Sequence, residues 1–139
     1  VHSAIHGPHR IEWLPATLEM AALYQWADLA ICAGGGTCYE LCFFGIVGIV
    51  GALAERQVPV ADSMGRAGIF KSIGGYRHAT ADEIAGMIQE LMNNPNEVRA
   101  MRRNASSLVD GNGVSRIFRA MRTAETQKLN FARPGTVGT

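Results

Sequence analysis

Apolar residues along this chain fall into two patterns: short unbroken runs, and stretches in which they recur every three or four positions. Residues 28–33, apolar after Asp28, and 46–52 are continuous runs, the first expected of a strand covered on both faces in a parallel sheet. Residues 69–73 read as another short strand, ended by a turn at Gly74 and Gly75. Residues 10–14 (Arg-Ile-Glu-Trp-Leu) alternate and stop at Pro15, which predicts one more.

Helical spacing fills the intervals. A helix opened by Ala16 or Thr17 is predicted to reach Trp26, with Leu18, Ala21, Ala22 and Trp26 on one face. Residues 38–44 predict a short helix closed by Gly45, and Pro59 suits the first turn of a helix over 60–67 that Gly68 ends. Thr80 and Glu83 have the spacing of a capping box ahead of Ile84, Met87, Ile88, Leu91 and Met92. Pro95 starts a new helix to about residue 107, and the last helix is predicted over 114–128, before a mobile tail over 130–139. Met64, Met87, Met92, Met101 and Met121 fall at apolar helical positions and read as core filler.

Strands alternating with helices predict a three-layer α/β sandwich around a mainly parallel, Rossmann-like sheet. Ligands bind such sheets beyond the carboxyl ends of the strands, an edge that collects residues 15–17, 34–37 and 54–57. The middle loop carries the clearest chemistry, because an apolar strand empties there into Gly34-Gly35-Gly36-Thr37 and then a helix. Glycines let the backbone approach a bound group, and the first amides of the helix point outward at the positive end of its dipole, an arrangement suited to an anion. Glu40 follows one turn later, within reach of a sugar attached to a bound phosphate.

Composition narrows the rest. The 139 residues are 47% hydrophobic and 18% charged, enough for one globular domain, and the formal net charge of +1 gives no electrostatic reason to expect nucleic acid or an anionic membrane. The longest apolar stretch, residues 41–54, is too short to span a bilayer, for which about 20 residues are needed. Cys32, Cys38 and Cys42 are odd in number and lack zinc spacing, so they read as buried thiols of a chain in a reducing compartment, the cytoplasm. His2, His6 and His9 are interrupted by Gly7-Pro8 and are not read as a metal site, and Asp110 with Asn112 reads as a helix-starting turn rather than a calcium loop. The opening Val-His-Ser has neither an initiator Met nor the character of a signal peptide, which is expected of a processed product or a piece of a longer gene.

The ordered motifs Met20-Ala-Ala-Leu-Tyr-Gln-Trp-Ala-Asp28 and Ala33-Gly-Gly-Gly-Thr-Cys-Tyr-Glu40 resemble the C-terminal domain of GT-B nucleotide-sugar enzymes. Two branches are similar: the N-acetylglucosaminyltransferase that forms lipid II, and the UDP-sugar hydrolase of pseudaminic acid synthesis with its spore-coat-polysaccharide relatives. Leu53-Ala-Glu-Arg-Gln57, Pro59, Ala61 and Val109-Asp-Gly-Asn-Gly-Val-Ser-Arg116 resemble the hydrolase branch more closely. The resemblance, over residues 10–120, implies that residues 10–129 form a nucleotide-sugar-binding domain lacking its first βα units, with 1–9 the remnant of what precedes. It implies UDP or a UDP-sugar as ligand and no cofactor.

In that reading the amides of Gly35, Gly36, Thr37 and Cys38 in the Gly34–Thr37 loop region face the diphosphate, and the Thr37 hydroxyl adds a hydrogen bond. Glu40 accepts from the ribose hydroxyls, Gln57 contacts nucleotide or sugar from the other side, and the backbone at Ala16 and Thr17 reads the uracil edge. The transferase has an Asn where Ala61 stands, and both branches favour a Pro where Val47 stands. The N-terminal domain, which carries the hydrolase's catalytic His, is absent, so no residue of this chain inherits a catalytic role and the chain alone is expected to be inactive. A parallel sheet without its central units also predicts a partner, either the N-terminal part of the parent enzyme or a second copy in a homodimer.

Overall fold

The computed structural model describes residues 11–131 apart from Trp13 and Ala16, with side chains as far as Ala124. His2, His6 and His9, Arg10, Ala16 and residues 132–139 therefore lie outside the described residues. Element order is α1 (Met20–Trp26), β1 (Leu29–Ala33), α2 (Gly36–Phe43), β2 (Val47–Ala52), a 3-10 turn (Glu55–Gln57), α3 (Val58–Arg66), β3 (Phe70–Gly75), α4 (Ala81–Asn93), α5 (Pro95–Leu108) and α6 (Gly113–Phe131).

The strands form one parallel sheet in the order β1-β2-β3. β2 is buried at every position, with Val47 and Val50 at 0% exposure, because helices cover both of its faces. Each large aliphatic side chain sunk there is worth about 1.5–3 kcal/mol. On β3, Ser72 faces α3, since a side chain added at Gly65 would meet the Ser72 Cβ at 2.9 Å. Lys71 points the other way, 2.6 Å from Glu90 of α4 and 3.2 Å from Glu97 of α5. Three layers result: α3 below, the sheet between, α4 above. α5 then crosses the amino edge of the sheet, where Arg102 donates to the Asp28 carbonyl at 3.2 Å and Asn104 donates to the carbonyls of Ala67 and Gly68. This is a Rossmann-like α/β arrangement, consistent with part of a GT-B C-terminal domain.

Both crossover helices end in the same way. Gly45 (φ 70°) and Gly68 (φ 62°) take the left-handed conformation just past α2 and α3. Gly45 donates to Cys42 and Ile46 to Leu41; Gly68 donates to Gly65 and Ile69 to Met64. These are paired Schellman motifs, each releasing the chain into the next strand. Val47 enters β2 directly opposite Leu29, so the turn forms without the Pro that the resemblance favours. Thr80 and Glu83 exchange both bonds of the expected capping box, and Asn94 caps α5 by accepting from the Glu97 amide.

Several expectations are corrected. Residues 11, 12 and 14 are exposed and take no strand, because an alternating segment becomes a strand only beside a sheet edge that pairs with it. On α1 the packed residue is Tyr24 at 8% exposure, while Leu18, Ala21, Ala22 and Trp26 are exposed. Among the described residues β1 packs chiefly against α2, and Ile31 on it is 50% exposed, so the strand is not covered on both faces. Gly74 and Gly75 continue β3 through an irregular register, and the turn falls on residues 76–78. Met92 and Met121 are exposed, unlike Met64 and Met101. α6 runs on through Phe131, past the expected start of the tail.

β1 and β2 approach so closely at Gly48 that a Cβ there would lie 2.0 Å from the Ala30 carbonyl oxygen. Gly48→Ala should therefore lower stability by about 3 kcal/mol or more. Gly86→Ala, in the open interior of α4 with nothing within 4 Å, should raise it by about 0.5–1 kcal/mol. Urea midpoints of the two variants check the contrast; a mild effect at Gly48 would refute the close approach.

Candidate functional site

The glycine loop is fixed by the strand before it and the turn beside it. Gly34 extends the ladder by donating to the Gly51 carbonyl at 2.8 Å, and Gly35, in extended conformation, is the N-cap of α2. Gly34 has no room for a side chain: a Cβ would lie 2.5 Å from the Gln57 carbonyl oxygen and 3.1 Å from the Ala61 amide nitrogen. At Gly36 the same atom would meet nothing within 4 Å. The loop is thus pressed against α3 on one side and open on the other.

With glycine as N-cap, no side chain satisfies the first amides of α2, and its first turn carries no carboxylate. Gly35 donates to Ala33 at 2.7 Å and Cys38 to Gly35 at 3.2 Å, so two of the four expected amides serve the loop itself. Gly36 and Thr37, the first two residues of α2, are the ones whose amides an outside acceptor would meet. Thr37 is the second helical residue and exposed, and it does not cap the helix.

Gln57 joins the loops. Its Oε1 accepts from the amides of Leu53 at 2.8 Å and Ala54 at 3.2 Å, and a Cβ on Gly35 would stand 3.9 Å from its Nε2. Thr17 is occupied locally, its hydroxyl accepting from the Glu19 amide at 3.0 Å. Ala61 is fully buried beneath Gly34 and offers no polar group.

Glu40 faces α1, where its Oε2 accepts from the Tyr24 hydroxyl at 2.7 Å. The Tyr24 ring packs on Phe44, centroids 5.4 Å apart. Burial, and then the Glu40 carboxylate, push the Tyr24 phenol up to about 12. Glu40 also lines a cleft of about 500 Å³ with Tyr24, Tyr39 and Phe43. A separate cleft of about 500 Å³ opens beyond the carboxyl ends of β2 and β3, lined by Ala54, Glu55, Val58, Arg77 and His78.

Arg77 and His78 were not singled out by sequence, although their place directly after a strand at the carboxyl edge is a usable signal. Tyr76 was missed as well. Its hydroxyl donates to the Cys32 carbonyl at 2.9 Å while its ring covers Gly51, clamping the end of β1 across β2. The Asp110-Gly-Asn-Gly-Val-Ser-Arg116 motif is a turn: Arg116 bridges to Asp110, Asp110 accepts from the Asn112 amide, and Gly111 (φ 75°) lies under the Phe43 ring. Arg116 holds the Asp110 carboxyl well below its usual range. Among the described residues no three His, Cys, Asp or Glu side chains gather to hold a metal ion, and no helix is long and apolar enough to cross a membrane.

No family profile matches the chain. It is similar over 99 residues, 68% of its length, to the UDP-N-acetylglucosamine--N-acetylmuramyl-(pentapeptide) pyrophosphoryl-undecaprenol N-acetylglucosamine transferase of Pseudomonas paraeruginosa (strain DSM 24068 / PA7), at 33% identity. The enzyme of the same name from Xylella fastidiosa (strain Temecula1 / ATCC 700964) is 30% identical over 99 residues. The chain spans 28% and 27% of the length of these relatives. The similarity lies with the transferase branch and lends nothing to the hydrolase expectation.

Tyr24→Phe should cost about 1 kcal/mol of stability and remove the tyrosine that ionises near pH 12. The folded pKa lies above the ordinary 10.0, so the contribution is complete below pH 10 and is lost as pH rises through 12. Tyrosinate absorbance and urea midpoints against pH read both effects; a step near pH 12 that survives in the variant would mean another phenol produces it.

Proposed function

We propose that this chain supplies the UDP-binding side of a GT-B glycosyltransferase that uses UDP-N-acetylglucosamine. The observation that carries the reading is the glycine-capped N-terminus of α2, open at Gly36 and Thr37, in a chain similar to transferases of that sugar. The diphosphate sits on those two amides with the helix dipole behind them. The Gln57 Nε2 donates from the neighbouring turn, and Arg77 faces the phosphates across the carboxyl-edge cleft. Glu40, acceptor-only when ionised, takes the two ribose hydroxyls while Tyr24 fixes its orientation. Thr17 presents backbone to the base. Ala61 offers the sugar no side-chain amide, so the sugar is held mainly from the other half of the parent enzyme, which also carries the chemistry. The reaction belongs to the cytoplasm.

Calorimetry with UDP and UDP-N-acetylglucosamine tests this. Wild type should bind UDP weakly, Glu40→Ala about tenfold more weakly still, and the sugar should add little. Equal binding by both variants, or none by wild type, would remove the reading.

A second reading rests on β1. It is an edge strand in the order β1-β2-β3, and Ile31 on it and Trp26 just before it are 50% and 84% exposed. Such an edge templates pairing with another strand, from the rest of the parent enzyme or from a second copy. Light scattering across a concentration series should reveal dimers that Ile31→Lys abolishes; a strictly monomeric wild type would exclude self-association.

A further inference from the structure

The end of β1 and the start of α2 are joined by two thiols as well as by the glycine loop. Cys32 is the fourth residue of β1 and Cys38 the third of α2. Their Sγ atoms stand 3.7 Å apart, in contact, and the Cys38 Sγ donates to the Ala33 carbonyl at 3.2 Å. Cys32 is half-buried and Cys38 fully buried. Neither thiol has a part in the anion site described above, yet the three glycines lie between them.

The pair is also electrostatically unequal. The contact with Cys32, and then the amides at the N-terminus of α2, bring the Cys38 thiol down to about 7 against the cost of burial. The same contact, with burial, pushes Cys32 upward. Cys42, one turn further along α2, is raised to about 11 by burial. Of the contacting pair Cys38 is therefore the one that ionises, releasing the proton it donates to the Ala33 carbonyl, while Cys32 and Cys42 stay protonated.

We propose that Cys32 and Cys38 form a reversible intramolecular disulfide that locks the glycine loop and weakens its hold on an anion. Formation of the bond depends only on the two sulfurs; its effect on ligand rests on the nucleotide-binding reading above. The oxidant is hydrogen peroxide, small enough for a half-buried site. The anionic sulfur attacks a peroxide oxygen, an S–O bond forms, the O–O bond breaks, and the departing hydroxide takes a proton to leave as water. The remaining thiol attacks the resulting sulfenic sulfur: the S–S bond forms, the S–O bond breaks, and the thiol proton leaves with the oxygen as a second water. The two thiols lose two electrons and two protons, and peroxide becomes two waters. A reducing dithiol restores the pair by exchange.

The bond acts on the loop because its ends cannot yield equally. Drawing the sulfurs from contact to bonding distance takes Cys38 off the Ala33 carbonyl and pulls the first turn of α2 toward β1. Gly34 is held between the Gln57 carbonyl and the Ala61 amide, so the displacement falls on Gly35 and Gly36, on the open side. The amides of Gly36 and Thr37 are re-aimed.

The test uses the full chain, reduced, treated with stoichiometric hydrogen peroxide, alkylated and cleaved after glutamate, which separates residues 20–40 from residues 41–55. The 20–40 peptide should lose two hydrogens and resist alkylation, Cys42 should be alkylated, and dithiothreitol should reverse the change. Cys42→Ser should behave as wild type. A 20–40 peptide that is doubly alkylated, carries added oxygen on a cysteine rather than on Met20, or is linked to Cys42 would overturn the proposal without reliance on any Cys32 or Cys38 variant. Reduced protein should bind UDP at least fivefold more tightly than oxidised protein, and equal affinity would overturn the locking. If neither form binds UDP, the nucleotide reading fails on its own account, and hydrogen exchange at residues 35–37 decides: slower exchange after oxidation supports the lock, and unchanged exchange overturns it.

Discussion

The contact of backbone with backbone at Gly34 is the constraint on which the site depends. The carbonyl of Gln57 and the amide of Ala61 occupy the space a side chain would need there, so the exit of β1 and the first turn of α3 meet without an intervening layer. From that contact follow the position of the Gln57 amide beside Gly35, the extended geometry of Gly35, and the direction in which α2 sets out. A protein interior is packed densely enough that such a contact admits one arrangement rather than a range. The first turn of α2 is therefore aimed by a neighbouring helix as much as by its own sequence.

Much of the fold was legible because its signals are local. Apolar runs marked β1 and β2, a short strand pattern ending at Gly74 marked β3, and glycine, proline and the Thr80–Glu83 pair marked helix ends to within a residue or two. What escaped depended on partners far along the chain. The face of α1 is chosen by one contact of Tyr24 with Glu40 and Phe44, which outweighs the amphipathic pattern of Leu18, Ala21, Ala22 and Trp26. The segment before Pro15 has the alternation of a strand, but alternation describes a side-chain pattern and supplies no hydrogen-bonding partner. The exposed face of β1 was invisible for the same reason: apolar content fixes what a strand can bury, while the helices packed on it fix what it does bury.

The candidate site was legible as chemistry and only partly as geometry. The glycines, Glu40 and Gln57 could be picked out by residue type and order. That the amides of Gly35 and Cys38 serve the loop, and that Gln57 spends its oxygen on Leu53 and Ala54, needed coordinates. The motif at Asp110–Arg116 resembled a family signature and proves to be a turn that places Gly111 under the Phe43 ring of α2 just ahead of α6.

The matched hooks at Gly45 and Gly68 divide the labour between the two ends of the sheet. Each ties the last turn of a helix to the two residues just ahead of the next strand with two backbone bonds, so strand offset is set at the amino edge by helix length and glycine position. One residue added within α2 or α3 would turn the launch of the following strand by about 100°. The opposite edge is held differently: Gly34 is fixed there between Gln57 and Ala61, while Gly36 has open space beside it. Sequence is free to drift only at such open positions, while the sheet beneath keeps its alignment.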